Sequence, residues 1–228
     1  SWRDTHFRIE GSGAAGLQVS FLSDWSATTK QHITGAAYFP QSERHAENIL
    51  QIVPSGPFGQ WRALLQADSY AVSNARRRIW IQTPYYLPSD VLNTALQVAA
   101  LAGVDVRLML PGKPDHWYAD CVAESYFGEL IKHGVKVYRY TPGFLHGKSI
   151  MVDREAAFVG SANMDYRSFE LDYECGVMVY SVPMIESLLE DMDMIVDRSH
   201  LVTAEEWAKR SVLRRVFEPL LRLFAIWM

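Results

Sequence analysis

Short apolar runs alternate with longer amphipathic segments from Ile49 onward, and this alternation limits the fold more than any other feature of the 228-residue chain. The runs have the length of strands, and the segments between them have helical spacing. Strands are predicted at 50–53, 79–82, 104–110 and 135–140, and helices at 61–74, between Ser89 or Asp90 and Gly103, and at 118–133. Because successive strand–helix units favour parallel neighbours, we predict an α/β fold with a mixed, largely parallel central sheet flanked by helices.

The pattern changes after Gly143, where the apolar runs stand close together. Runs at 149–152 and 156–159 flank a short turn and predict a hairpin. A further strand is predicted to begin at Glu174, and Pro183 is expected to open a helix. This region is therefore predicted to add antiparallel strands to the sheet.

The two ends of the chain differ from its middle. Residues 1–40 predict a strand at 6–10 and a helix at 14–29, and they are interpreted as the tail of a preceding unit. Residues 41–200 are the predicted catalytic domain. Residues 201–228 predict a basic amphipathic helix, which would either lie on an anionic membrane surface or pack against the domain.

Composition excludes several classes of protein. The chain is 49% hydrophobic and 21% charged, as a globular protein is, and its formal net charge of −4 gives no general attraction to polyanions. Its two cysteines are far apart, which argues against a disulfide framework and a zinc site. No apolar run approaches the roughly 18 residues of a membrane span. Because the chain starts at Ser1 without an initiator Met, we expect a fragment.

One constellation carries chemistry: His146 and Lys148, with Asp153 after them, and then Gly160, Ser161 and Asn163. Two residues apart on an extended segment, the imidazole and the ammonium point to the same face. The ammonium can offset charge on phosphate oxygens, and Ser161 and Asn163 offer donors from a turn. These residues suit phosphodiester chemistry with neither a metal nor a cofactor.

The imidazole of His146 can attack phosphorus, giving a phosphohistidine, or transfer a proton. Either role requires one tautomer, which a carboxylate on the other ring nitrogen would fix. Glu174 is the predicted orienting group. Asp153 is included in the predicted catalytic motif, although we expect it to organise the turn or to support Lys148.

The motif resembles HxKxxxxD and GSxN of the phospholipase D superfamily, which implies a phospholipase D-like α/β sandwich domain. Segments 83–88, 103–106, 110–115 and 163–169 look like the C-terminal half of bacterial cardiolipin synthases, and 2–6 resembles the end of their N-terminal half. That family joins two such motifs in one active site. The resemblance implies that a lone half needs the missing N-terminal half or a second copy, and it favours the acid/base role for His146.

The function implied by this resemblance is transfer of a phosphatidyl group between phosphatidylglycerol molecules, forming cardiolipin and glycerol at a bacterial inner membrane. The alternatives are another phosphodiesterase of the same superfamily, a lipase or a nuclease, and an inactive truncated half. Acidic residues near the motif, among them Asp165, Asp172 and Glu174, weaken the nuclease alternative, and no nucleic-acid partner is expected.

Overall fold

The computed structural model describes residues 1–41, 48–59, 61–211 and 220–222. Within these ranges the strands, in chain order, are β1 (Trp2–Arg3), β2 (Leu50–Ser55), β3 (Arg78–Gln82), β4 (Tyr86–Leu87), β5 (Asp105–Pro111), β6 (Lys136–Tyr140), β7 (Phe144–Leu145), β8 (Ser149–Val152), β9 (Ala156–Gly160), β10 (Met164–Asp165), β11 (Glu174–Val179) and β12 (Ser199–Leu201). The helices are α1 (Ser12–Thr29), α2 (Ala63–Asn74), α3 (Asp90–Leu101), α4 (Trp117–Lys132), α5 (Tyr166–Glu170), α6 (Val182–Asp197) and α7 (Ala204–Ala208), with a 3-10 turn at Ala36–Tyr38.

Eight strands of the described chain form one sheet in the order β12-β6-β5-β3-β8-β9-β11-β2. Strands β3, β5 and β6 pair in parallel, and the other neighbours are antiparallel. When these pairings are followed across the sheet, β2, β3, β5, β6 and β9 run in one direction and the other three run against them. The predicted α/β fold is confirmed. The sheet is mixed, and most of its strands run in the same direction. Antiparallel contacts nevertheless outnumber parallel ones, because the β8–β9 hairpin and β11 insert between β3 and β2.

Helices cover both faces of this sheet. On strand β3, Ile79 and Ile81 point to one face and pack with α2, α3 and α4, while Trp80 points to the other and packs with α6. Leu64 of α2 and Leu92 of α3 are fully buried. Burying such a side chain stabilises the fold by roughly 1.5–3 kcal/mol. The two apolar layers hold the sheet, and with it the ends of its strands, in place.

Helix boundaries follow the predicted signals. The Ser89 side chain caps α3 by accepting a hydrogen bond from the backbone N–H of Leu92 at 3.4 Å. Gly103 and Gly134 follow α3 and α4 with φ angles of 91° and 94°, the left-handed conformation that glycine adopts readily.

The strand predicted at 6–10 is wrong, because that segment has no regular secondary structure. Residues 6–10 pair with neither β12 nor β2, the strands at the two edges of the sheet. Instead β1 forms a separate parallel pair with β7. The predicted helix is present as α1, and Gly16 of that helix lies close against Ile52 of β2.

The predicted C-terminal helix does not begin at residue 201, because Leu201 still belongs to β12 and the short helix α7 follows. Most of the remainder, 212–219 and 223–228, lies outside the described residues. Arg222 is described, and it packs against α4: its Nε donates to Ser125 Oγ at 2.6 Å, and its guanidinium lies 3.9 Å from the ring centre of Tyr126. None of the helices in the described ranges has the length and apolar character needed to cross a membrane.

Candidate active site

The site lies at one end of the central sheet, where four strand ends meet. Strand β3 ends at Gln82 and β9 ends at Gly160, while β8 starts at Ser149 and β11 starts at Glu174. The backbone N–H of Gly160 donates to the carbonyl of Lys148 at 3.2 Å, which joins the two halves of the predicted motif. The sheet therefore brings both halves to one edge.

His146 follows β7 and is held by the N-terminal segment. Its backbone N–H donates to the carbonyl of Arg3 at 2.8 Å. Its ring Nδ1 lies 3.1 and 3.2 Å from the two carboxylate oxygens of Asp4. On the other side of the ring, Nε2 lies 2.8 Å from Nζ of Lys148, which also donates to the His146 carbonyl at 2.7 Å. The imidazole thus stands between a carboxylate and an ammonium.

These two contacts select one tautomer of His146. A carboxylate such as Asp4 only accepts hydrogen bonds, and an ammonium such as Lys148 only donates them. The proton of the neutral ring therefore lies on Nδ1, and Nε2 presents its lone pair. In this form Nε2 can attack an electrophile or remove a proton, and Asp4 is placed to stabilise the imidazolium that results.

Lys148 is half-buried, and burial lowers the pKa of its ammonium to about 8. The nearby carboxylates of Asp4, Glu174 and Asp165 oppose this effect and favour the charged form. Lys148 is therefore mainly cationic at neutral pH. It is also the ammonium that the sequence predicts beside His146, so this part of the prediction agrees with the geometry.

Glu174 does not take the position predicted for it. Its carboxylate accepts a short hydrogen bond from Ser161 Oγ. The contact to Nδ1 of His146 is made by Asp4 instead. The orienting role predicted for Glu174 is therefore wrong in this structure, because the N-terminal segment, rather than β11, runs beside β7. Glu174 still lies near enough to Lys148 to influence its pKa.

Asn163 stands beside the site and leads into helix α5. Its backbone N–H donates to Ser168 Oγ at 3.0 Å, and its side chain hydrogen bonds Asp165. The side-chain oxygen Oδ1 is buried and has no hydrogen-bond partner among the described residues. Burial raises the pKa of Asp165, against opposing hydrogen bonds from Ser168 and Asn163. Ser161 and Asn163 therefore flank the site, each engaged with a carboxylate.

A shallow cavity of about 220 Å³ adjoins this turn and is lined in part by Asn163, Asp165, Arg167 and Tyr85. The hydroxyl of Tyr85 donates to Asp115 at 2.7 Å. The neighbouring Tyr86 is fully buried, and of the two tyrosines only Tyr85 lines this cavity.

Asp153 belongs to the structure of the sheet and not to the reacting groups. It lies at the far end of β8, five residues and about 16 Å of extended chain from Lys148. Its carboxylate accepts backbone N–H groups of Arg76, Arg77 and Arg78 at 2.8–2.9 Å. These donors outweigh the effect of burial and lower its pKa. Its place in the predicted catalytic set is therefore corrected: its side chain holds the segment that leads into β3, and its backbone adopts a φ of 55°.

Aromatic rings flank His146, and sequence reasoning missed them together with Asp4. Trp2 lies with its ring centre 4.4 Å from that of His146, and Phe144 lies at 5.9 Å. Trp2 is 66% exposed despite its size. The only sequence signal for Trp2 and Asp4 was the resemblance of segment 2–6 to a family segment. That resemblance did not predict that these residues lie beside His146.

Comparison with known proteins identifies the family of this chain. The family model described as "Cardiolipin synthase, PLD-like domain" matches residues 70–196, more than half of the chain. The chain is 37% identical over 226 residues to a cardiolipin synthase of Listeria monocytogenes serotype 4a and 38% identical over 226 residues to cardiolipin synthase 2 of Bacillus anthracis. Both matches cover 98% of this chain but only 47% and 44% of those proteins, so the chain spans about half the length of the curated relatives it matches.

Solved structures share the fold at lower identity. Nuc of Salmonella typhimurium, a phospholipase D family member, matches 69% of this chain and 99% of its own, with a TM-score of 0.57 and 23% identity. Phosphatidylserine synthase of Haemophilus influenzae Rd KW20 matches 78% of this chain and 46% of its own, with a TM-score of 0.58 and 18% identity. The fold, the family model and the curated relatives agree, and the chain belongs to the cardiolipin synthase, PLD-like domain family.

Proposed function

We propose that this chain supplies one of the two half-sites of a cardiolipin synthase-type phosphatidyltransferase. The observation that carries the proposal is the imidazole of His146 held between Asp4 and Lys148, with a nucleophilic or basic Nε2. We further propose that residues 1–40 end the preceding half in sequence while they complete the site of this half. Residues 41–200 would form the catalytic domain.

The reaction would join two molecules of phosphatidylglycerol. In the first step one histidine attacks phosphorus and a second histidine protonates the departing glycerol oxygen, which leaves a phosphohistidine. In the second step the second histidine removes a proton from a hydroxyl of another phosphatidylglycerol, which attacks phosphorus, breaks the P–N bond and gives cardiolipin. We assign His146 to proton transfer in line with the family resemblance, and Asp4 is placed to stabilise the imidazolium that this role requires.

The charges of the site favour a second half. The carboxylates of Asp4, Glu174 and Asp165 act on the ammonium of Lys148 and offset part of the attraction that it would exert on a phosphate. A second half-site, from a preceding N-terminal half or a second copy of this chain, would add a second histidine and a second lysine. We propose that the complete enzyme works on phospholipid at the surface of a bacterial inner membrane.

The test is turnover of phosphatidylglycerol vesicles by the full-length protein. His146→Ala should lower cardiolipin and glycerol formation by at least about a thousandfold, as the loss of a reacting histidine does in other enzymes, with unchanged circular dichroism. His200→Ala is the matched control, because His200 is exposed and pairs with Glu206 away from the site. Retained activity in His146→Ala would reject the proposal. Release of phosphatidic acid, or cleavage of single-stranded DNA, would instead indicate a lipase or a nuclease.

A further inference from the structure

The amide of Gln82 lies directly behind the histidine–lysine motif. Gln82 is the last residue of β3 and is 1% exposed. A side-chain carbon on Gly147 would stand 1.5 Å from Nε2 of Gln82, so the amide occupies the space that any other residue between His146 and Lys148 would need. The amide would therefore have to move to admit a side chain at Gly147, and it lies against the loop that presents both reacting side chains.

The same amide reaches the N-terminal segment. Gln82 Nε2 donates to Thr5 Oγ1 at 2.9 Å, and Thr5 Oγ1 donates to Asp191 Oδ2 at 3.2 Å. Asp191 also forms a short ion pair with Arg3. The single hydroxyl proton of Thr5 is used by the carboxylate, so Thr5 can only accept from Gln82, which places the NH2 group of the amide toward Thr5.

These bonds hold the residues on both sides of Asp4. Arg3 is anchored by Asp191 and by its carbonyl, which accepts the backbone N–H groups of His146 and Gly147 at 2.8 and 3.2 Å. Thr5 is anchored by Gln82 and Asp191. We propose that Gln82 is a positioning residue that, through Thr5, holds the carboxylate of Asp4 against Nδ1 of His146 and so fixes the tautomer of the reacting ring.

The two polar atoms of the Gln82 amide differ in their contacts: Nε2 donates to Thr5, and Oε1 makes no hydrogen bond to the described residues. Its Oε1 atom is buried without a hydrogen-bond partner among the described residues, and the Oγ of Ser149, the residue paired with it on β8, is in the same situation. An unpaired buried carbonyl costs free energy, whereas a methionine of similar length would fill the same space without that cost. The amide is therefore suited to a contact that an apolar side chain cannot make, and that contact is the one to Thr5.

The test uses this chain labelled with ¹⁵N-histidine, with the ring nitrogens of His146 identified by comparison with His146→Gln. At a pH where the ring is neutral, the unsubstituted chain should show the proton on Nδ1. In Gln82→Met we expect a mixture of the two tautomers with an unchanged thermal midpoint. Gln51→Met, an exposed glutamine on β2, is the control and should leave the His146 signals as they are.

A second variant guards against a failure to fold. Thr5→Val removes the hydroxyl from a partly exposed position at nearly constant volume and should give the same loss of the Nδ1–H form. An unchanged tautomer in both folded variants would overturn the inference. A tautomer shift in Gln82→Met that Thr5→Val does not reproduce would also overturn it, because Gln82 is proposed to act on Asp4 through Thr5.

The consequence for turnover rests on the proposed function. In the full-length enzyme Gln82→Met should lower kcat for phosphatidylglycerol about tenfold with little change in KM, as the loss of an outer hydrogen-bond partner typically does. If the full-length protein has no transferase activity while the tautomer shift is observed, the proposed function fails and the positioning role stands. If the protein is active and its tautomer and kcat do not respond, the positioning role fails alone.

Discussion

Asp4 and His146 are 142 residues apart in the sequence, and a carboxylate oxygen of Asp4 lies 3.1 Å from Nδ1 of His146. The contact forms because β1 pairs in parallel with β7, which places Arg3 beside Leu145 and leaves the next residue of each strand side by side. A carboxylate in this position fixes the ring and stabilises its charged form. The N-terminal segment is therefore part of the site and not only a connection to it.

Replacing Asp4 with asparagine should remove this support while keeping the shape of the side chain. An amide can accept from Nδ1–H or donate to an unprotonated Nδ1, so Asp4→Asn permits the wrong tautomer and no longer stabilises the imidazolium. We expect turnover of phosphatidylglycerol by the full-length protein to fall about a hundredfold or more, with KM nearly unchanged. Asp24→Asn, on the exposed side of α1, should have no effect. Full activity in Asp4→Asn would contradict the orienting role.

The pKa of Lys148 predicts an alkaline limit to activity. A folded-state pKa of about 8 means that the ammonium is present below this pH and is lost above it. If phosphate binding requires the charge, kcat/KM should fall about tenfold for each pH unit above about 8. In Lys148→Arg the guanidinium stays charged, so the remaining activity should no longer fall in this range.

Lys132→Arg, at the exposed end of α4, is the control for the alkaline profile and should keep the fall that the unsubstituted enzyme shows. An identical alkaline fall in Lys148→Arg would assign the titration to another group.

Local signals in the sequence were enough to predict most elements of the fold. The Ser89 cap, the glycines after α3 and α4 and the strand-helix alternation act over a few residues, and the structure contains each of them. The close spacing of His146 and Lys148 likewise predicted their convergence, because two residues of extended chain determine it. Features that depend on a few neighbouring residues, such as helix ends and the convergence of His146 and Lys148, can therefore be predicted from the sequence.

Contacts between distant segments could not be predicted in this way. Glu174 was assigned to His146 because it lies on the strand after the turn at Gly160, where the resemblance places an orienting acid. The parallel pairing of the two-residue strands β1 and β7, which brings Asp4 there instead, has no signal of its own in the sequence. Asp153 was placed with the catalytic residues by its motif, while its partners, the backbone N–H groups of 76–78, carry no side-chain information at all. Backbone donors are the same in every residue except proline, so their positions become visible only in the fold.

Asp153→Asn should weaken the fold and spare the chemistry. Asparagine also tolerates the left-handed conformation of this turn. The substitution therefore removes the negative charge of the carboxylate that accepts the three N–H groups, without straining the backbone. We expect the free energy of unfolding in urea to fall by about 1.5–3 kcal/mol at neutral pH, the range for hydrogen bonds to a charged group. The tautomer of His146 should not change. If Asp153→Asn had the stability of the unsubstituted protein but a large loss of turnover, Asp153 would belong to the reacting groups after all.

The effect of Asp153→Asn should also depend on pH. The folded state lowers the pKa of Asp153 below its unfolded value of about 3.9, so its contribution is complete above that pH and is lost as the pH falls through the folded value. The difference in free energy of unfolding between the unsubstituted protein and Asp153→Asn should therefore become smaller at acidic pH. Asp193→Asn, an exposed carboxylate on α6, should show no comparable difference at neutral pH.

Glu174→Gln separates the two roles that this carboxylate has been given. In the structure Glu174 lies near Lys148 and raises the pKa of the ammonium, so removing its charge should move that pKa below about 8 and shift the alkaline limit of activity to lower pH. The tautomer of His146 should stay fixed, because Asp4 is still present. Had Glu174 been the group that orients His146, the opposite pattern would follow, with a changed tautomer and an unmoved alkaline limit. Glu186→Gln, half exposed and paired with Arg154 away from the site, should alter neither property.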